Sequence, residues 1–254
     1  MKILGLIPAR YASTRFPGKP LADILGKPMI QRVYEQASQS HLHELYVATD
    51  DQRIAAVVEA FGGKVVLTSE AHPTGTDRCR EAAQKIEEST GEHFGAVINI
   101  QGDEPYIHPE QIDLLASAFE RQGVEIATLV KHLGSADDAR NPGIIKVVRN
   151  LQEQALYFSR NLVPHYRGAD LEEALVLHRY FKHIGMYGYR RDMLDRIAAL
   201  PQSPLEKVES LEQLRWLENG ISILALETEQ QSRSVDTPAD LEILIREKQN
   251  HEDP

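Results

Sequence analysis

The chain has 254 residues, 42% of them hydrophobic and 26% charged, a composition typical of a soluble globular enzyme with one large α/β domain or two small ones. Its formal net charge of -10 disfavours broad binding to nucleic acid or to an anionic membrane, so an anion-binding site must concentrate its cations locally. The single cysteine, Cys79, excludes an intrachain disulfide and a cysteine-based zinc site.

The first 70 residues alternate between strand and helix patterns. An apolar run at 3–7 predicts a buried strand, and residues 28–40 repeat apolar side chains at helical spacing. A strand over 44–49 and another over 64–67 are separated by a helix that Gly62 ends as a left-handed cap. This order predicts a parallel sheet with right-handed crossovers.

The rest of the chain continues this pattern, with one irregular stretch. The nearly continuous apolar run at 95–101 is typical of a central parallel strand that is buried on both faces. Residues 131–182 are less regular, and we expect them to form a smaller inserted lobe or a dimer contact. The other predicted elements are a helix after 72–78, a helix over 109–121, strands over 125–130, 144–148, 183–189 and 221–226, helices over 190–199 and 205–219, and a last helix that begins with a capping box at 237–240.

The loop after the first strand carries three cations, Arg10, Arg15 and Lys19. Open α/β sheets bind ligands beyond the carboxyl ends of their strands, and clustered cations there favour a polyanion such as a triphosphate. The chain contains neither GxGxxG nor GxxxxGK[ST], so these side chains are the main candidates for holding phosphates. The alternative interpretation is a solvated basic loop.

Two carboxylates complete a candidate metal site. Asp103 directly follows the buried strand at 95–101, and Asp236 directly precedes the predicted last helix. Mg²⁺ binds one or two carboxylates together with water and substrate phosphate oxygens. Alternatively, Asp103 caps a turn and Asp236 stabilises a helix N-terminus. The three nearby cations favour the metal interpretation, because a metal–triphosphate complex needs both kinds of group.

Several motifs resemble those of a known family. They are IPARYASTRFPGKPL at 7–21, QGDEP at 101–105, ALYFSR at 155–160, HIGMYGY at 183–189, LEQLR at 211–215 and SVDTPADLE at 234–242. Together they resemble the 3-deoxy-manno-octulosonate (Kdo) cytidylyltransferases, a branch of the sugar nucleotidyltransferases, and further similar segments extend the resemblance over essentially the whole chain. The opening loop alone also fits sialic-acid cytidylyltransferases, whereas ALYFSR, HIGMYGY and LEQLR favour the Kdo branch.

The resemblance implies a fold, a reaction and a set of site residues. The fold would be a Rossmann-like, mainly parallel sheet flanked by helices, in a single domain over 1–254. The reaction would transfer CMP from CTP to the anomeric 2-hydroxyl of Kdo with Mg²⁺ and release pyrophosphate, for lipopolysaccharide biosynthesis. Catalysis would involve Arg10, Lys19, Asp103 and Asp236, of which the two aspartates bind the metal. The nucleotide would contact Pro8, Ala9, Arg10, Ser13, Arg15, Lys19, Thr74, Gly75, Arg78 and Gln101. The sugar acid would contact Arg160, His183, Tyr187, Glu212 and Gln213.

Two alternative functions remain open from the sequence. One is a cytidylyltransferase for a related acid, such as 8-amino-Kdo or a sialic acid. The other is a non-catalytic nucleotide-binding protein, against which the presence of both carboxylates and all three cations argues. We expect a homodimer that binds no nucleic acid and inserts into no membrane. No apolar run approaches the roughly 20 residues that span a bilayer, and the first residues lack a leader pattern, so we expect a cytoplasmic protein.

Overall fold

The computed structural model describes residues 1–252, and the chain packs as two compact units. Unit 1 contains Met1–Ala116 and the chain from Ser232 onwards, and unit 2 contains Ser117–Gln231. The predicted smaller lobe at 131–182 lies within unit 2, and its role stays a prediction, as does the single domain over 1–254, whose last two residues lie outside the described part. Within residues 1–252, no helix is both long and apolar enough to cross a membrane.

Unit 1 is built on a parallel sheet whose strand order is β6–β1–β4–β5. This arrangement confirms the predicted α/β class. The elements of unit 1 are β1 (Ile3–Ala9), a 3-10 helix (Lys19–Leu21), the short ribbon of β2 (Asp23–Ile24) and β3 (Lys27–Pro28), α1 (Met29–Ala37), β4 (Glu44–Thr49), α2 (Gln52–Ala60), β5 (Val65–Leu67), α3 (Gly75–Thr90), β6 (Ala96–Asn99), α4 (Pro109–Ala118), whose last two residues belong to unit 2, and α10 (Pro238–Glu252).

The central strands of unit 1 are apolar because both faces of the sheet are covered. Leu4, Leu6 and Ile7 of β1 are fully buried, and every residue of β6 is buried. Such strands show no alternation of polar and apolar residues, which agrees with the continuous apolar runs in the sequence. Gly62 follows α2 with φ 81°, so the predicted left-handed helix end is confirmed.

The carboxyl ends of β1 and β6 bring two loops together. Gly102, just after β6, lies so close to β1 that a Cβ atom there would be 2.8 Å from the carbonyl oxygen of Pro8. No real Cβ tolerates that distance from a backbone oxygen, so this close approach requires glycine. The strand pairing therefore places the loop after β1 beside Asp103.

Unit 2 contains a sheet in the order β11–β7–β10–β8–β9, in which only β11 and β7 are parallel. The irregular stretch of the sequence thus supplies antiparallel strands. The elements of unit 2 are β7 (Ile126–His132), α5 (Ala136–Arg140), β8 (Lys146–Arg149), β9 (Ala155–Ser159), α6 (Leu171–Leu177), β10 (Phe181–Arg190), α7 (Arg191–Ala198), α8 (Pro204–Glu209), α9 (Gln213–Glu218) and β11 (Ile223–Glu227).

One helix predicted in unit 2 is wrong, and one helix of unit 2 was not predicted. The single helix predicted over 205–219 is wrong, because Ser210 adopts φ 53° and separates α8 from α9. Helix α6 was not predicted, although its N-terminus carries a complete capping box. The Asp170 side chain accepts from the backbone N–H of Glu173, and the Glu173 carboxylate accepts from the backbone N–H of Asp170.

Candidate functional site

A cavity of about 320 Å³ lies at the carboxyl ends of β1 and β6. Its lining includes most of the residues predicted to contact a nucleotide. It is lined by Pro8, Ala9, Arg10, Ala12, Ser13, Thr14, Arg15, Lys19, Pro20, Gln101, Gly102 and Asp103. The cavity therefore holds three cations and a carboxylate, the kinds of group that a metal–phosphate complex needs.

The loop after β1 is folded back on Tyr11. The carbonyl oxygen of Tyr11 accepts hydrogen bonds from the backbone N–H groups of Ser13, at 3.0 Å, and Gly18, at 2.9 Å. Gly18 adopts φ 73° and caps the 3-10 helix that begins at Lys19. The Arg53 guanidinium lies 3.3 Å from the centroid of the Tyr11 ring and covers it. These contacts fix the backbone on either side of the cations, so Arg15 and Lys19 need little ordering to meet a ligand.

Lys19 joins the two predicted metal ligands. Its Nζ atom is 2.9 Å from Asp103 Oδ2 and 3.6 Å from Asp236 Oδ1, and Arg15 Nη2 is 3.0 Å from the same Asp236 oxygen. Residues far apart in the sequence thus converge on one point. The structure places the predicted carboxylate pair next to the predicted phosphate-binding cations.

The donor set at this point fits Mg²⁺. The side chains of Asp103 and Asp236 are 25% and 41% exposed, so their oxygens are accessible to an ion. No group of three or more His, Cys, Asp or Glu side chains forms a metal site anywhere in residues 1–252. A divalent ion here would thus have two carboxylates and would draw its other ligands from water and phosphate, the environment that Mg²⁺ prefers.

Arg10 lies on a second ionic network at the edge of the cavity. Its Nη2 atom donates to the carbonyl oxygen of Thr74 at 3.1 Å. Arg78 is fully buried, where it donates to Asp50 Oδ2 and to Thr68 Oγ1, each at 2.5 Å. Burial and the nearby positive charge of Arg78 lower the pKa of Arg10. Two guanidinium groups so close together favour a bound anion at this edge of the cavity.

Three predicted nucleotide contacts do not line the cavity. Thr74 caps α3 by accepting a hydrogen bond from the backbone N–H of Asp77, and Gly75 packs near Pro8. In this arrangement the Thr74 carbonyl positions Arg10, and direct contact of Thr74, Gly75 and Arg78 with a nucleotide stays a prediction.

The residues predicted to bind the sugar acid lie in unit 2, where His183 is at the centre of an aromatic cluster. The His183 ring centroid is 5.2 Å from those of Phe158 and Tyr187, and Tyr187 packs edge-on against Trp216. Burial lowers the pKa of His183 to about 3, so this ring is neutral at physiological pH. Burial likewise raises the pKa of Tyr187.

Thr128, which the sequence did not single out, sets the tautomer of His183. The Thr128 hydroxyl donates to the carbonyl oxygen of Met186 at 2.8 Å and lies 2.9 Å from His183 Nε2. A hydroxyl has one proton to donate, so Nε2 carries the histidine proton and Nδ1 is the acceptor. His183 therefore presents a neutral, oriented imidazole.

The other three predicted sugar contacts lie near the C-terminal end of α8. The Arg160 guanidinium donates to the backbone carbonyl oxygens of Pro142, Glu209 and Ser210 at 2.7 to 3.3 Å. Glu212 directly precedes α9, close enough to Tyr187 for its charge to raise the pKa of that phenol, and Gln213 is 6% exposed. All three acceptors of the Arg160 guanidinium are uncharged carbonyl oxygens, so these contacts do not neutralise its positive charge. The assignment of all five residues to a sugar acid stays a prediction.

Comparison with known proteins identifies the family. The family model described as Cytidylyltransferase matches residues 4–223. The chain belongs to the cytidylyltransferase family. This cytidylyltransferase is 56% identical over 246 residues to the 3-deoxy-manno-octulosonate cytidylyltransferase of Parabacteroides distasonis, covering 95% of this chain and 96% of the relative. It is 55% identical to the enzyme of the same name from Bacteroides thetaiotaomicron over the same shares.

Solved structures agree with this family. CMP:2-keto-3-deoxy-manno-octonic acid synthetase complexed with CTP superimposes with a TM-score of 0.89 at 43% identity, over 99% of this chain and 100% of that chain. A cytidylyltransferase from Leptospira borgpetersenii has a TM-score of 0.58 at 15% identity, covering 98% of this chain and 96% of that one. The second likeness concerns the fold alone.

Sequence reasoning missed one further contact, which lies beside the two predicted metal ligands. The Ser232 hydroxyl donates a hydrogen bond to the Glu104 carboxylate. Burial raises the pKa of Glu104 to about 7, although the Ser232 hydrogen bond acts in the opposite direction. Glu104 was noted only as part of a motif, and Ser232 lies in a polar stretch with no periodicity, so the sequence gives no signal for this pair.

Proposed function

We propose that this cytidylyltransferase transfers CMP from CTP to the anomeric 2-hydroxyl of Kdo and releases pyrophosphate. The observation that carries the proposal is the identity of 56% to a 3-deoxy-manno-octulosonate cytidylyltransferase along nearly the whole of both chains. The cavity of unit 1 supports it, since cations and carboxylates meet there as a metal–triphosphate substrate requires. The product would serve lipopolysaccharide biosynthesis.

The nucleotide-binding loop acts mainly by placing positive charge. Arg10, Arg15 and Lys19 would bind the triphosphate and stabilise the negative charge that develops on the departing pyrophosphate. Such electrostatic stabilisation is the main contribution of an enzyme to phosphoryl and nucleotidyl transfer, together with alignment of the attacking hydroxyl. The hydrogen bonds to Tyr11 support this role, because they hold the loop in place before the substrate arrives.

Asp103 and Asp236 would hold Mg²⁺. When bound, the ion would neutralise phosphate charge and lower the pKa of the attacking hydroxyl, so that solvent water could accept its proton without a dedicated side-chain base. The distances of Lys19 from both carboxylates support this assignment, since they demonstrate that one cation can lie near both.

The acceptor would bind through residues of unit 2. Arg160 would supply positive charge for the carboxylate of the sugar acid, and the neutral His183 and Tyr187 would contact its hydroxyl groups. The pKa of about 3 for His183 supports a role in hydrogen bonding and argues against an ion pair at neutral pH. We also propose a homodimer that acts in the cytoplasm.

A panel of acceptors tests the proposed reaction. The full-length protein is incubated with CTP and Mg²⁺ and with Kdo, 8-amino-Kdo or N-acetylneuraminate, and released pyrophosphate is measured. We expect the highest kcat/KM with Kdo. A higher value with another acid would reassign the acceptor, and CTP binding without pyrophosphate release from any acid would leave only a nucleotide-binding protein.

A further inference from the structure

Asp236 lies in a segment without regular structure. Residues 232–236 belong to no helix or strand, and α10 begins only at Pro238. The position of the Asp236 carboxylate therefore depends on individual hydrogen bonds. On its C-terminal side, Asp240 Oδ2 accepts from the backbone N–H groups of Asp236, at 3.1 Å, and Thr237, at 2.8 Å, which fixes the entry into α10.

On its N-terminal side, the segment is attached directly to the loop that carries Asp103. The backbone N–H of Val235 donates to the carbonyl oxygen of Asp103 at 2.9 Å, and the Val235 side chain is fully buried beside Met29 and Leu244. Three residues before Val235, the Ser232 hydroxyl donates to the carboxylate of Glu104. The residues next to the predicted metal ligands in sequence therefore connect the two segments: Glu104 follows Asp103, and Val235 precedes Asp236.

We propose that Ser232 and Glu104 are positioning residues, whose hydrogen bond holds Asp236 opposite Asp103 so that both can bind one divalent ion. The inference rests on the proposed metal site. Without the bond, the attachment of residues 232–235 to the Asp103 loop would be reduced to the Val235 contact, and Asp236 would sample positions away from Asp103. Neither side chain needs to contact substrate for this role. Both act through the placement of a ligand, as groups outside the coordination shell of a metal commonly do.

Metal affinity measures this role without turnover. The affinity of the full-length protein for Mn²⁺ is measured by electron paramagnetic resonance in the absence of nucleotide. We expect Ser232→Ala to raise the Kd for Mn²⁺ about tenfold, in the range typical of lost outer-shell partners. Ser232→Thr keeps the hydroxyl and should restore most of the affinity. Ser234→Ala removes an exposed hydroxyl from the same segment and should leave the Kd unchanged.

A double-mutant cycle separates positioning from general damage. Because Ser232 acts through Asp236, Ser232→Ala should weaken Mn²⁺ binding much less in the Asp236→Asn background than in the wild type. An equal loss in both backgrounds, or failure of Ser232→Thr to restore binding, would overturn the inference. If Asp236→Asn weakens binding and Ser232→Ala does not, only this inference fails. If Asp236→Asn itself changes nothing, the proposed metal site fails as well.

Discussion

Replacing Lys19 with methionine should change metal binding and turnover in opposite directions. Lys19 is 16% exposed, and its ammonium contacts Asp103 and Asp236, the two proposed metal ligands. A divalent ion must therefore share these carboxylates with a fixed positive charge. Methionine keeps most of the length and packing of the side chain and removes only that charge.

The observed distances set the size of the effect. At the dielectric constant of bulk water, ion pairs at 2.9 and 3.6 Å are each worth about 1 kcal/mol, and at an effective dielectric constant of 20 each is worth about 5 kcal/mol. We use the screened limit because both carboxylates are partly exposed. Loss of both pairs therefore gives the metal a gain of about 2 kcal/mol, which corresponds to roughly 30-fold tighter binding. Loss of one charge-stabilising group should at the same time lower kcat on the order of 10²-fold.

Two measurements on the same protein test this prediction. Mn²⁺ affinity is measured by electron paramagnetic resonance without nucleotide, and kcat is measured by pyrophosphate release at saturating CTP, Kdo and Mg²⁺. Lys27→Met provides the control, since Lys27 pairs with Glu35 at 2.8 Å and does not line the cavity. Weaker or unchanged Mn²⁺ binding in Lys19→Met would refute the electrostatic argument, and an unchanged kcat would remove Lys19 from the catalytic site.

Three further substitutions test other parts of the molecule. Glu206→Gln should lower the unfolding free energy, measured in urea, by about 3–5 kcal/mol. Glu206 pairs with Arg215 at 2.5 and 2.8 Å, and both side chains are only 7% exposed, so the substitution removes a buried counterion of Arg215. A loss below about 1 kcal/mol would contradict this prediction. Gly102→Ala should lower kcat/KM for CTP by up to about 10²-fold, because its Cβ would push against the Pro8 carbonyl, and unaltered kinetics would show that the loop adapts. His183 has a pKa of about 3 in the folded protein and about 6.5 in the unfolded chain, so below pH 6.5 the unfolded chain binds the extra proton. The unfolding free energy should therefore fall by about 2 kcal/mol from pH 6.5 to 5, and His183→Gln should lack this loss. The same pH dependence in both proteins would show that a group other than His183 titrates.

The architecture of unit 1 could be predicted from the sequence because its determinants are local. Continuous apolar runs define buried strands, and the left-handed Gly62 ends a helix wherever it occurs. The position of the cation-rich loop beside Asp103 could also be predicted, because the carboxyl ends of parallel strands meet at one edge of the sheet. Helix α6 could also have been predicted, because the spacing of Asp170 and Glu173 is the sequence pattern of a capping box.

Other features depend on contacts between distant segments, and no local pattern reveals them. The hydrogen bond from Ser232 to Glu104 joins two loops and leaves no periodic signal. The break at Ser210 interrupts a sequence with good helical periodicity, because the backbone there adopts a left-handed conformation that residue type alone does not predict. The role of Thr128 in orienting His183 likewise depends on the pairing of β7 with β10.

Turnover of Asp103→Asn and Asp236→Asn tests whether the reaction depends on a metal held by these two carboxylates. Each asparagine keeps the shape of the side chain and removes the charge that a divalent ion needs, so the fold should be little affected. We predict that both variants bind CTP but release almost no pyrophosphate from CTP and Kdo at saturating Mg²⁺, as the wild-type protein should in EDTA. Near-wild-type turnover of either variant under these conditions would contradict the proposed metal-dependent cytidylyl transfer at this site.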